Sequence, residues 1–320
     1  MSRRISGKVL VIHLGIIAVL LVAQFFLSPY HHINVARIMI FAAFALGYNV
    51  LLGYTGLLSL GHAMFFAAGV YGAGLPVFYL QFNALEAFAA GVVSSFLLGV
   101  TFGLIVIRTS GVSFLIVTLM FAQAAFLTTL YFNEITLGDQ GIVISQVLPP
   151  LEVGGAVLEF SDPDVKYNAA LLLFGVTFLV CIAIVYSPIG RVFVAIRENE
   201  ARTRMLGYNT YKYKLVSLVI SATISGAAGA MYALLFSYIG STFASIEYSI
   251  FPLLWTLVGG MGTLIGPVLG TGLMFYLVDI ASGLTESHLI VVGIVLVVLV
   301  LYFPKGLMGT IREKWLPWLP

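Results

Sequence analysis

The chain has 320 residues, of which 61% are hydrophobic and 9% charged, and its mean hydropathy of +1.08 excludes an ordinary water-soluble domain, where about a quarter of residues carry charge. The net charge of +2 is small, and the single cysteine, Cys181, excludes an internal disulfide. A hydrocarbon core of about 30 Å takes about twenty apolar residues per helical crossing, so this length accommodates on the order of ten crossings in one membrane domain.

In chain order, apolar runs cover residues 9–27, 35–52, 58–80, 86–107, 111–132, 168–186, 215–238, 248–261, 264–281 and 288–303. The pattern predicts an all-α polytopic membrane protein, one domain over 1–320, with about ten transmembrane helices, some short or broken. The first run follows a basic start and is too long for a signal-peptide core, with no small-residue cleavage pattern after it, so it reads as a retained helix. The eighth is short. Since lipid tolerates no unsatisfied backbone, it is expected to be a partial or tilted helix sheltered by protein.

Charge gives the expected orientation, because cytoplasmic flanks of membrane helices are rich in Lys and Arg. With ten spans and both termini cytoplasmic, thirteen basic residues (Arg3, Arg4, Lys8, Arg108, Arg191, Arg197, Arg202, Arg204, Lys212, Lys214, Lys305, Arg312 and Lys314) fall on that side, and two, Arg37 and Lys166, fall outside. Glu134, Asp139, Glu152, Glu159, Asp162 and Asp164 gather in the external loop of about 133–167, which also holds Pro149, Pro150 and Pro163. That loop either meets a soluble partner or caps the bundle.

Thirty-three glycines must break helices or let them approach closely. Ser221, Ser225, Gly229 and Ala233 recur every four residues beside Ala222, Gly226 and Ala230, a ridge suited to helix packing in lipid. Gly53-Tyr54-Thr55-Gly56 and Gly259-Gly260-Met261-Gly262 interrupt apolar runs, as discontinuous helices facing a cavity do, or as tight turns do. Tyr54, Thr55, Ser59, His62, Gly259, Gly260 and Gly262 combine broken backbone with polar groups and are the candidate translocation path; His62 reads equally as a hydrogen-bonded packing residue. Glu86 and Asp279 fall near the ends of their spans, where water solvates them, which disfavours a buried ion relay. No HExxH pair, clustered metal ligands or persuasive serine–histidine–acid order is present, and no GxxxxGK[ST] loop, so ATP hydrolysis, if it drives this protein, belongs to another subunit.

Six of the fifteen Lys and Arg residues lie in 187–214, SPIGRVFVAIRENEARTRMLGYNTYKYK. Ser187 as cap, Pro188 at the first position and Gly207 as stop predict a short helix. Val192, Ile196, Asn199, Thr203 and Leu206 share one stripe, with Arg197, Ala201 and Arg204 opposite, so one face suits the bundle and the other a partner or anionic lipid. Glu200 and Arg204 are spaced to pair along the helix. Tyr211, Lys212, Tyr213 and Lys214 look like an interfacial anchor for the next span.

LLGYTGLLSLGHAMFFAAGVYGA at 51–73, IRTSGVSFLIVTLMFAQ at 107–123, the basic segment continuing to 233, LVGGMGTLIGPVLG at 257–270 and FPKGLMG at 303–309 resemble the LivM-type permease subunits of branched-chain amino acid ABC importers. The resemblance implies an inner-membrane subunit working with a homologous second permease, two cytoplasmic ATPase subunits that bind the ATP, and a periplasmic binding protein that delivers solute. It implies no cofactor, no enzymatic activity and no nucleic-acid partner. It also makes the 187–214 helix a coupling helix, with Arg197, Glu198, Asn199, Glu200, Arg204 and Gly207 as its candidate contacts. Here Gly207 follows Glu200 by seven residues, where the family's EAA-x3-G loop has six, and Ala201 takes the expected place of the acid. Related permeases carry urea and short amides, so these remain alternative solutes. An ion-coupled secondary transporter is the rival class, and it predicts a buried charge and an inverted repeat; a scaffolding subunit without a path is a third.

Overall fold

The computed structural model describes residues 7–153 and 156–314. Arg3, Arg4 and the side chains of Lys8 and Glu152, used in the charge count, lie outside what it describes. Helices α1 (Gly7–Ala23), α2 (Pro29–Asn49), α3 (His62–Leu80), α4 (Ala84–Val106) and α5 (Val112–Tyr131) come first, then a single turn α6 (Asn133–Thr136) and strands β1 (Ile142–Val143), β2 (Leu151–Val153) and β3 (Ala156–Leu158). After them come α7 (Pro163–Tyr186), α8 (Pro188–Met205), α9 (Thr210–Phe236), β4 (Tyr238–Ile239), α10 (Ile246–Gly259), α11 (Ile265–Leu284), α12 (His288–Tyr302) and α13 (Gly306–Lys314). Among the described residues seven helices are long and apolar enough to cross a membrane, and Val11–Ala23, Ile246–Gly259 and Ile290–Leu299 are shorter apolar helices. Every apolar run of the sequence therefore has its helix.

Local chemistry sets the starts. Asn83 Oδ1 accepts from the backbone N–H groups of Leu85 and Glu86, while Glu86 Oε2 accepts from Asn83 N–H at 3.1 Å, a reciprocal cap opening α4. Asp162 caps α7 through Asp164 N–H, with Pro163 in the first position. Asp279 on α11 accepts the hydroxyl of Tyr30 at the start of α2. Both span-end acids thus hold helix ends in place.

Helix α9 runs through the centre. Gly226 and Gly229 meet the backbone of α3 at Gly69 and Phe66, while on α4 a Cβ at Gly91 would stand 2.6 Å from Ala230 Cβ and one at Gly99 2.7 Å from Ala222 Cβ. In lipid no hydrophobic force draws helices together, so contact depends on dispersion, and the smallest side chains allow the closest approach. The small-residue ridge is helix packing. Beside it, Phe44, Phe66, Phe174 and Phe178 fill the core between α2, α3, α7 and α9.

Strand β1 pairs antiparallel with β4, Ile142 opposite Ile239, and ties the long loop to the segment after α9. That is the loop end of the bundle; α8 and α13 lie at the opposite, basic end.

Two passes are interrupted. At the basic end α2 closes in a π turn, Val50–Tyr54, and residues 55–61 turn back without helix, so α3 starts deep in the bundle, where His62 meets Ser221 near the middle of α9. After α9, residues 237–245 descend from the loop end as β4 and a 3-10 turn, Ser241–Ala244, with Ile239, Ser241, Phe243 and Ala244 buried. Only then does α10 begin, at 14 residues the short eighth span, its broken approach enclosed by protein. The two interior starts touch: Ala63 N–H donates to Ser249 Oγ at 2.9 Å.

Candidate functional site

Helix α8 starts as its sequence dictates, with Ser187 Oγ accepting from Gly190 N–H at 3.1 Å and Pro188 in the first position. Past its end, Gly207 takes a positive φ of 89°. The helix is not straight: Asn199 is extended (φ −164°, ψ 100°), and its side chain recaps the chain by accepting from Arg202 N–H at 2.9 Å. The bend divides the expected stripe. Val192, Ile196 and Thr203 are buried, whereas Asn199 and Leu206 are exposed.

Glu200 turns inward instead of toward a partner. Both its oxygens accept from Lys214 Nζ, at 3.1 and 3.0 Å, and Thr210 Oγ1 and Arg204 Nη2 add bonds at 3.0 and 3.2 Å. Lys214 is therefore no interfacial anchor; its side chain is 6% exposed and serves as the counter-ion that staples α8 to α9. Partial burial pushes the Glu200 carboxyl up, but Lys214, Thr210 and Arg204 outweigh it and hold it below the usual carboxylate range.

Arg197 reaches back toward the bundle. Its Nη1 donates to the Gly53 carbonyl in the π turn, and its Nη2 pairs with Glu198 at 2.9 Å. Gly262, with φ of 68°, packs against the same guanidinium, so a side chain there would be strained and would meet Arg197. Gly259 to Gly262 thus form a tight turn between α10 and α11 at the basic end. Asn49 fastens it, donating to Thr263 O at 2.8 Å and accepting from Gly262 N–H at 3.0 Å. Beside the turn, Arg197, Thr263, Lys305, Arg312 and Glu313 line a recess of about 530 Å³.

Tyr54, Thr55, Ser59 and His62 lie above this junction, all buried. Thr55 Oγ1 donates to the Val50 carbonyl at 3.0 Å and stands 2.6 Å from Ser217 Oγ, which reaches the same carbonyl at 3.4 Å. His62 Nε2 is 2.7 Å from Ser221 Oγ, with the Tyr48 ring edge-on at 4.5 Å. Ser59 Oγ accepts from Gly61 N–H. Thr55, Ser59 and His62 thus also fasten the interrupted pass, whereas the buried Tyr54 hydroxyl has no hydrogen-bond partner among the described residues.

Sequence reasoning missed three things here. Asn49 gave no signal beyond being polar within an apolar run. Met205 and Leu206, 87% and 71% exposed, form an apolar tip on α8, although the helical stripe places Leu206 on the inward face. Arg37, assigned to the external side near the start of the run 35–52, sits about 12 Å into α2 because that helix begins at Pro29; the Ser28-Pro29 start signal was available.

A family model described as "Branched-chain amino acid transport system / permease component" matches residues 33–300. The chain is 30% identical to the high-affinity branched-chain amino acid transport system permease protein LivM of Escherichia coli, over 92% of this chain and 74% of that protein. It is 23% identical to a probable LivM of Methanocaldococcus jannaschii (82% and 88% covered) and 24% identical to LivH of Escherichia coli (84% and 91% covered). No solved structure matches it. Because the matched residues run from the first turns of α2 nearly to the end of α12, the likeness extends over the bundle, and the chain belongs to the branched-chain amino acid transport permease family as the membrane-spanning permease subunit of an ABC importer.

Proposed function

We propose that this subunit moves branched-chain amino acids across a bacterial inner membrane, in a pair with a homologous permease. A periplasmic binding protein delivers the solute, and two ATPase subunits at the basic end supply the drive. The excess of Lys and Arg at that end supports a cytoplasmic assignment for it and for both termini. The observation that carries the reading is the bent α8: its inner face is fixed by Glu200–Lys214 and Arg197–Gly53, while Glu198, Arg204, Met205 and Leu206 stand exposed. A helix clamped on one side with an apolar and charged tip on the other suits a lever gripped from outside.

In this mechanism, closure of the ATPase pair displaces the α8 tip, with Glu198, Asn199 and Arg204 in contact and Gly207 as the pivot. Arg197 passes the displacement to Gly53 and the Gly259-Gly260-Met261-Gly262 turn. The interrupted segment carrying Tyr54, Thr55, Ser59 and His62 then shifts the wall of the passage between the two permeases.

The variant Met205→Asp/Leu206→Asp tests the lever. Burying each of these side chains contributes about 2 kcal/mol, so association with the ATPase is expected to weaken on the order of a hundred- to thousandfold. The ATPase subunits should fail to copurify, and uptake into vesicles should stop. Wild-type copurification and uptake would overturn the reading, as would full-rate transport by the permease alone in liposomes.

A further inference from the structure

Among the described residues Arg37 is a cation without an acid. It stands about 12 Å into α2, its guanidinium carbon 4.7 Å from the centroid of the Phe236 ring, and Lys166 Nζ lies 5.9 Å from the same centroid. Two like charges over one ring disfavour each other unless an anion joins them. Among the described residues, no carboxylate lies within ion-pair distance of either cation. Arg37 Nε is buried with no hydrogen-bond partner, and so is the amide nitrogen of Asn34, one turn earlier on α2. Ionisable groups at membrane depth are costly and normally serve a ligand or a path.

The surroundings define what would complete the pair. Lys166 and Phe236 line a cavity of about 520 Å³ at the loop end, walled by Leu148, Phe160 and Tyr238, with the exposed Glu159 on its lining. Of the two cations Lys166 lies on this lining and Arg37 stands beside it, against the same Phe236 ring; together they suit a carboxylate, while Glu159 suits an ammonium and the apolar wall a hydrocarbon side chain. Urea or a neutral amide would leave the cations unsatisfied.

We infer that Arg37 and Lys166 form a weak site at the loop end for the carboxylate of a zwitterionic amino acid, whose apolar side chain rests against Phe236 and Phe160. The inference rests on the importer reading and adds to it a location and the residues that would hold the solute's carboxylate. A phosphate of an anionic lipid shares the carboxylate's chemistry, and the experiment separates the two.

The assembled complex is placed in phosphatidylcholine nanodiscs without the binding protein, and saturation-transfer NMR is recorded with leucine and with leucinamide. Leucine is expected to bind, leucinamide at least tenfold more weakly. Arg37→Gln and Lys166→Gln should each weaken leucine tenfold or more, whereas Lys305→Gln at the opposite end should not. Equal binding of the two ligands, no leucine binding to wild type, unaltered binding by Arg37→Gln, or an equal loss in Lys305→Gln overturns the site. A loss in Arg37→Gln that appears only after phosphatidylglycerol is added assigns the cations to lipid and also overturns it. Absence of binding-protein-stimulated ATP hydrolysis in the wild-type complex would instead sink the importer reading.

Discussion

At the basic end the cations that turn toward the bundle or its neighbouring helices find acids in three cases: Lys214 with Glu200, Arg197 with Glu198, Lys305 with Glu313. At the loop end Arg37 and Lys166 share an aromatic ring and have no such acid among the described residues. The same side-chain chemistry is settled in one place and open in the other. Neutralised charge in a low-dielectric bundle holds elements together, whereas charge left open costs stability and is kept for what it binds.

Removing a settled partner should do the most damage. Glu200→Ala strands the buried Lys214; such losses cost about 3–5 kcal/mol when both groups are buried, and about 2 kcal/mol is expected here because Glu200 is one-third exposed. The melting temperature of the purified complex should drop, and Glu200→Ala/Lys214→Met should recover most of it; unchanged melting in the single variant would erase the contrast. Arg37→Met should do the reverse, leaving stability unchanged or raised by up to about 1 kcal/mol, with melting unchanged or higher, while leucine uptake falls. A drop in melting comparable to Glu200→Ala would put Arg37 among the structural cations.

How much could be read beforehand follows the range of the forces involved. Ser187, Pro188 and Gly207 marked the limits of α8 because caps and stops act over one turn. The ten apolar runs and the short eighth span were legible because lipid imposes length and continuity. The bend at Asn199 was not, since an asparagine inside a helix and one recapping it differ only in a backbone angle. Nor was Glu200–Lys214: their separation crosses a helix end, and the i to i+4 rule pointed to Arg204 alone. Arg37 lay close to the expected start at 35 because a hydropathy window drops the polar residues 29–34 with which α2 opens. The path residues were legible as unusual, but burial decides whether a polar group faces a solute or a neighbouring backbone, and burial is a property of the packed bundle.

Acid gives a smaller effect with the same sign of contrast. Because the fold holds the Glu200 carboxyl below its ordinary value of 4.5, the staple is fully present above that pH and is lost as pH falls through the lowered value. Protease access to α8 should therefore rise only on acidification below about that pH; a rise near neutrality would show that another group controls it. Smallest of all, Lys305→Ala breaks an ion pair whose partners are 61% and 60% exposed, and it should leave melting unchanged, because water already screens that pair. A clear drop would mean that α13 depends on it.

The contact between Ala63 and Ser249 gears the molecule. The two starts point in opposite directions from one meeting place, α3 toward the loop end and the short α10 toward the basic end, so sliding either along its axis loads that bond. A tug transmitted through Gly53 at one surface is thereby felt by α10 and by the aromatic residues stacked on it, Phe251 and Trp255 among them. In the proposed importer, this serine hydroxyl lies where the motions of the two interrupted passes would meet.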